Sequence, residues 1–395
     1  MRVAIVGAGI GGLTLALALL RRGVEARVFE QAPALAEVGA GVQLSANATR
    51  VLFELGLGPA LTACAFVPTE KRIRLWNTGQ GWKAFDTGPL SVELYGSPYL
   101  TLHRCDLHAV LATAVRALSP DAITLAARCV DIAQDETGVD LSFEDGRQAR
   151  ADLLVGADGV HSVIRRCLFG PDQARVSGVL AWRGVIPAER LHPRLMTPQS
   201  TTWIGPGGHV VHYPLRRGEL MNFVSVVERD DWRVESWSAP GSVQECLADY
   251  AGWHPDVHAL ISAIEQPYKC ALLVREPMPR WTQGRATLLG DACHPMLPFL
   301  AQGAAMAIED AQVLARALAA HGADFAMAFG AYESARLQRT ARAVRGSAEN
   351  MTRYHDARLT TPEDAEAYVE REWSEERVKE RYAWLFGYDA TRVDV

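Results

Sequence analysis

The sequence predicts an α/β fold: a doubly wound, mainly parallel sheet, interrupted by an inserted and mainly antiparallel sheet and finished by C-terminal helices. Three observations carry this. A short apolar strand runs straight into the glycine-rich turn Gly7-Ala8-Gly9-Ile10-Gly11-Gly12; two later apolar strands end in the same manner, at Gly156-Ala157-Asp158-Gly159 and at Gly290-Asp291; and between residues 179 and 274 strands follow one another with few helices between them.

Val3-Ala4-Ile5-Val6 reads as a buried parallel strand. Gly7 permits the bend that leaves it, Gly9 lets the backbone approach a pyrophosphate, and Gly12, after Gly11, lets the next helix pack close to the strand. That helix covers Leu13 to Leu20 and stops at Gly23, and its first turn offers N–H donors to an anion. The second strand, Ala26 to Phe29, finishes on Glu30-Gln31, where an acid accepts hydrogen bonds from an adenosine ribose. An acid at this point disfavours a 2′-phosphate, so the turn is expected to hold FAD or NAD and not NADP.

Composition narrows the class further. A chain of 395 residues, 49% hydrophobic and 22% charged, can build two domains or one elaborated one. A net charge of −6 argues against a nucleic-acid partner. The first strand begins almost at Met1 and no apolar run approaches the roughly 20 residues needed to cross a bilayer, so a cytoplasmic protein without a membrane partner is expected. The seven cysteines lack C-x-x-C pairs, which suits reduced thiols and predicts neither a disulfide frame nor a metal site.

Along the chain, Gly39, Gly41 and Gln43 lie in a glycine-interrupted segment that either approaches a ligand or simply bends toward the helix Ala48 to Leu55, with Ser45-Ala46-Asn47 as its cap. Ile73 to Trp76 and Tyr99 to Leu102 read as strands. His103-Arg104-Cys105-Asp106-Leu107-His108 opens a helix to about Leu118; Arg104 is either a solvated arginine or a contact for an anionic cofactor group. Three short strands follow, Cys129 to Gln134, Val139 to Phe143 and Gln148 to Ala151, the last two joined by a turn at Glu144-Asp145-Gly146. Asp158 ends the next buried strand and either faces a ligand or caps the short helix Val160 to Cys167, and both roles are compatible.

The inserted sheet contains Trp182 to Ile186, Thr202 to Ile204, His209 to Leu215 and Leu220 to Val227. Alternation places His209, Val211 and Tyr213 on one face and Val210 and His212 on the other. Helices Val243 to Trp253 and Val257 to Ile264 and a strand near Lys269 to Val274 close the insert. After Gly290-Asp291, Gly303-Ala304 lead into a helix from Met306 to Ala319, and two charged helices, Phe325 to Arg353 and Pro362 to Leu385, end the chain, with Trp384, Phe386 and Tyr388 packing the tail back.

Three strand ends thus carry acids, Glu30, Asp158 and Asp291, which suits one extended dinucleotide spread across the fold. Together Gly7 to Gly12, Asp158-Gly159 with Ser162 and Arg165, and Gly290-Asp291 with Pro295 resemble the three signatures of the single-component, class A flavoprotein aromatic hydroxylases. Within them the sequence is similar to the salicylate hydroxylase, 3-hydroxybenzoate 6-hydroxylase and 6-hydroxynicotinate 3-monooxygenase group, through residues 103–108, 209–215 and 384–388.

The resemblance implies a Rossmann-like FAD-binding domain of the GR2 type with a β-sheet substrate domain and no second nucleotide domain. It implies a monooxygenase that hydroxylates a small aromatic molecule with NADH or NADPH and O₂ through a flavin C4a-hydroperoxide. A flavin or NAD dehydrogenase that never activates oxygen, and a non-enzymatic dinucleotide module, are the rival readings. The implied cofactor set is Gly7, Gly9, Gly11, Gly12, Glu30, Gln31, Gln43, Arg104, Asp158, Asp291, Gly303 and Ala304, with His209 and Tyr213 as the groups that contact or deprotonate the substrate. The expected division is 1–72, 103–178 and 276–345 for the FAD part, 73–102 and 179–275 for the substrate part, and 346–395 for a helical tail, in a monomer or homodimer. Gln43 and Phe299 stand where the hydroxynicotinate enzymes have histidines, and Pro298 where the hydroxybenzoate enzymes have glutamine, leaving the ring itself open.

Overall fold

The computed structural model describes residues 1–35, 40–172, 174–229, 231 and 239–395; Gly39 of the glycine-interrupted segment lies outside them. The chain begins with β1 (Arg2–Val6), α1 (Ile10–Leu20) and β2 (Glu25–Phe29), followed by β3 (Gly41–Leu44), α2 (Ala46–Glu54) and α3 (Gly58–Cys64). Next come the antiparallel pair β4 (Glu70–Leu75) and β5 (Gly81–Asp86), then α4 (Pro89–Tyr95), β6 (Leu100–His103), α5 (Arg104–Leu118) and β7 (Ile123–Thr124). A three-stranded antiparallel sheet, β8 (Cys129–Gln134), β9 (Val139–Phe143) and β10 (Gln148–Ala151), precedes β11 (Leu153–Gly156) and α6 (Val163–Phe169). The insert holds β12 (Arg175–Pro187), β13 (Gln199–Gly205), β14 (Gly208–Leu215), β15 (Leu220–Glu228), α7 (Val243–Asp249), α8 (Pro255–Ala263) and β16 (Tyr268–Val274). It is followed by β17 (Thr282–Gln283), β18 (Ala286–Leu288), α9 (Gly303–His321), α10 (Phe325–Tyr354), α11 (Pro362–Glu372) and α12 (Glu375–Phe386).

Two sheets position the site. The first has the order β17-β18-β11-β1-β2-β7, parallel except for β17. Its register aligns Val6 with Gly156 and with Phe29, and Gly156 with Leu288. The residues that follow these strand ends therefore emerge at one carboxyl edge, where doubly wound sheets place ligands. The second has the order β16-β12-β15-β14-β13-β4-β5 and is antiparallel apart from the β13–β4 pair. Its outer face is sealed by α7 and α8 through a core that includes Trp203, Val210, Phe223, Tyr250 and Val257. Its inner face meets the C-terminal helices through Ile204, Val226, Phe299, Tyr354 and Phe386.

Several boundaries differ from the reading of the sequence. α1 starts at Ile10 and not Leu13, because two glycines in its first turn are accommodated by tight packing. α6 starts at Val163, where the Ser162 side chain accepts from the Arg165 N–H as its cap. The last expected helix is two, since Ser374 caps a fresh start after Trp373. The division at residue 73 falls inside β4, and β6 pairs with β3 and not with the large sheet.

Candidate active site

The glycine-rich turn is built by close approach. Gly7 has φ +104°, and a Cβ there would stand 2.4 Å from the carbonyl oxygen of Ala157; one on Gly12 would stand 2.0 Å from that of Gly7. A Cβ on Gly11 would likewise stand 2.5 Å from Leu289 Cδ2, whereas one on Gly9 would meet nothing within 4 Å. The turn is thus closed toward the sheet and open at Gly9, and α1 begins there with no side-chain cap and no acid in its first turn. Such a helix start is free to receive an anion. Gly12→Ala is expected to cost about 1–3 kcal/mol of stability and to release the cofactor, read as loss of flavin absorbance in the purified protein.

Glu30 reaches back to this turn: one carboxylate oxygen accepts from the Ala8 N–H at 2.8 Å and the other from the Ala32 N–H at 2.8 Å. Gln31 beside it is exposed. Asp158 is placed at the same edge but spends its carboxylate as a cap, accepting from the Ser162 hydroxyl and from the N–H groups of Val163 and Ile164. Burial pushes its pKa up against those bonds.

The third acid, Asp291, is solvent-accessible yet hemmed in by protein, the situation of a residue lining a cleft. Desolvation raises its pKa, opposed by His294 and Arg104. Arg104 at the start of α5 is half-buried and close enough to act on Asp291 electrostatically, and its backbone N–H donates to the Ala40 carbonyl at 2.9 Å. Ala307 of α9 would stand 3.1 Å from a Cβ on either Gly11 or Gly290, so α9 packs against both the glycine-rich turn and the Asp291 turn one turn beyond Gly303 and Ala304.

A buried polar brace that the sequence reading did not anticipate holds this junction. Asp310 accepts from the Gly290 N–H at 3.1 Å, lies 2.6 Å from His294 Nε2, and accepts from Arg336 at 2.7 Å. Arg336, fully buried, also donates to Glu309, which accepts from Asn47 and Arg339. Burial pushes Glu309 upward, but the guanidinium groups of Arg339 and Arg336 outweigh it and hold the carboxyl below its ordinary range. Cys293, His294 and Asp310 offer ligand atoms within 4.8 Å of one another, yet Asp310 is committed to the brace and Cys293 Sγ donates to the Gly290 carbonyl at 3.3 Å.

On the inner face of the large sheet, His209 is 2% exposed, with its ring edge-on to Phe299 at 5.0 Å. Its Nδ1 is 2.7 Å from His355 Nε2, and His355 Nδ1 is 2.9 Å from Glu228 at the surface. Desolvation lowers the His209 pKa well below 6.5, with His355 and Lys71 adding to the effect. Tyr213 lies against Gly41, where a Cβ would come within 2.7 Å of its hydroxyl, and burial raises its pKa. Gln43 faces this sheet, its oxygen accepting from Tyr99 and Ser200, each at 3.0 Å. The structure thus brings Gly7 to Gly12, Glu30 and Asp291 to one edge, with Arg104 within electrostatic reach of Asp291 and Gly303 and Ala304 one turn before the Ala307 contact. It sets His209, Tyr213 and Gln43 at the neighbouring sheet.

Lys71 and His355 were missed by the sequence reading. Lys71 had a signal: it alternates with Ile73 and Leu75, so it must share their buried face. His355 had none, since it follows a helix 146 residues from its partner.

Comparison with known proteins decides the family. A model described as an FAD binding domain matches residues 1–347. A 3-amino-4-hydroxybenzoate 2-monooxygenase, PtnB3 of Streptomyces platensis, is 40% identical over 99% of this chain and 97% of its own. The chain belongs to the FAD-dependent aromatic hydroxylase family. The 6-hydroxynicotinate 3-monooxygenase of Pseudomonas fluorescens, 36% identical over 99% of this chain and 96% of its own, is a further relative of this flavoprotein. Klebsiella pneumoniae HpxO complexed with FAD and uric acid shares its fold at TM-score 0.83, with 27% identity over 96% of each chain. The hydroxylase family brings FAD as cofactor, and the dehydrogenase alternative falls with it. The residues fit that group: an uncapped helix start behind open Gly9, and a cleft acid at Asp291 beside Arg104. No described helix of this flavoprotein is long and apolar enough to cross a membrane.

Proposed function

We propose that this enzyme hydroxylates a hydroxyl-bearing aromatic or heteroaromatic acid with NADH or NADPH and O₂, and that His209 takes the ring hydroxyl's proton. On this reading the six-stranded sheet with α1, α5 and α9 forms the FAD part, and the seven-stranded sheet with α7 and α8 the substrate part. Both lie in a cytoplasmic monomer or homodimer with no nucleic-acid or membrane partner. FAD, when bound, supplies oxygen activation and the electrons drawn from the nicotinamide; the protein binds, orients and excludes water.

The hydrogen-bond chain behind His209 carries the proposal. The Glu228 carboxylate can only accept, so His355 Nδ1 carries a proton and donates to it. A neutral His355 then accepts at Nε2, which places the His209 proton on Nδ1. His209 Nε2 is left with its lone pair, and it has no hydrogen-bond partner among the described residues. A neutral imidazole with a fixed tautomer is suited to accept a phenolic proton. Tyr213, whose pKa is raised, remains a hydroxyl donor and orients the ring instead of acting as base. Glu30, Gln31, Arg104, Asp291 and the two glycine-rich helix starts are assigned to the dinucleotide, with Asp158 behind them toward the nicotinamide side.

A panel of hydroxybenzoates and hydroxypyridines, scored by stimulated NADH or NADPH consumption, tests the proposal. At least one ring acid is expected to accelerate consumption and to yield a product labelled from ¹⁸O₂. Stimulation without label in the product would overturn the oxygenase reading.

A further inference from the structure

Alternation along β4 buries Lys71 together with Ile73 and Leu75, leaving the lysine 8% exposed. Its register partner on β13 is Ser200, and Thr202 follows on the same face, beside Val211 of the His209 strand. The Ser200 hydroxyl is committed to Gln43. The Thr202 hydroxyl, fully buried, has no hydrogen-bond partner. The Lys71 ammonium, not wholly shut off from solvent, has neither an ion-pair nor a hydrogen-bond partner among the described residues. The cross-strand rows of this face that contain Lys71, Thr202 and His209 also carry Arg183, and no Asp or Glu.

An unpaired ammonium in a protein interior is costly, because desolvation is not offset by an opposite charge. A buried basic group with a perturbed pKa and no protein partner marks a candidate ligand site. We propose that Lys71, supported by the Thr202 hydroxyl, is the anion-reading group of the substrate cavity, receiving a carboxylate on the aromatic ring and so fixing which ring carbon lies opposite His209. This rests on the aromatic-acid reading above and assigns residues to its recognition.

Two further features agree with the assignment. Burial lowers the Lys71 pKa to about 8, leaving it largely cationic at neutral pH, and the ammonium is near enough to depress His209. The other polar groups nearby, Gln43, Tyr99 and Ser200, satisfy one another and leave Lys71 and Thr202 as the unspent donors.

The test uses the holoenzyme and matched probes, 3- and 4-hydroxybenzoate against the corresponding hydroxybenzamides, with dissociation constants read from the change in flavin absorption. Lys71→Met is expected to weaken the better acid by about 10–100-fold, the range of a charge-assisted contact, while binding of its amide is unchanged. The same variant is expected to hold its flavin and to melt no lower than the parent, since a buried charge is replaced by an apolar chain of similar length. Thr202→Val should weaken the acid by a smaller factor and spare the amide. An unaltered acid-to-amide ratio in Lys71→Met overturns the proposal, as does equal binding of acid and amide by the parent enzyme. Failure of the oxygenase reading would show separately, as unlabelled product with Lys71 intact.

Discussion

Replacing Arg336 by leucine is expected to destabilise the protein by about 3–5 kcal/mol, because it leaves two buried carboxylates without their shared cation. Arg336 is fully buried between Glu309 at 2.5 Å and Asp310 at 2.7 Å. Asp310 in turn fixes the Gly290 N–H that starts the Asp291 turn. The loss should therefore appear twice, as a lower urea midpoint and as weaker retention of FAD. Restoring charge with Arg336→Lys should recover only part of either, since an ammonium cannot bridge both acids in the planar, forked geometry of a guanidinium. Full flavin retention in a destabilised Arg336→Leu protein would show that the brace supports the fold without shaping the cofactor edge.

Replacing His209 by alanine is expected to leave FAD bound and to slow hydroxylation of a phenolic acid by about 10²–10⁴-fold, the span of a positioned general base. The effect should shrink as pH approaches the phenol's own pKa, because the ring then arrives already ionised. Single-turnover hydroxylation followed across pH separates this from a packing defect, which would lower the rate evenly. A His209→Ala enzyme as fast as its parent on phenolic substrates would exclude the imidazole as base.

Much of the cofactor edge was legible from local pattern. A strand, a glycine turn and a helix in immediate succession leave few alternatives, and the ladder register then carries Glu30, Asp158 and Asp291 to one edge. The hairpin strands β8, β9 and β10 fall where alternation and the Asp145-Gly146 turn place them. Asp158 shows the limit: cap and ligand contact make the same demand on a strand-end acid, and the cap is what the hydrogen bonds display. Arg336 and His355 were illegible for a different reason. Each works through partners that the chain brings from far away, across 26 residues for Asp310 and 146 for His209, and no periodicity encodes such a meeting.

The chain's last helix bears on enzyme engineering. Phe386 and Tyr382 of α12 pack tilted against Phe85, and Phe386 also meets, edge-on, Tyr99, whose hydroxyl donates to Gln43 beside the inner sheet face. Arg339 clips that helix down through the carbonyls of Trp384 and Leu385 while its other contacts grip Glu309. The last described helix is thereby tied on one side to the inner face of the large sheet and on the other, through Arg339 and Glu309, to the buried brace behind the Asp291 turn. With the substrate seated against that inner face as proposed, trims or exchanged tails at this end should alter which rings are admitted, and library diversity aimed at selectivity belongs there as much as around the inserted sheet.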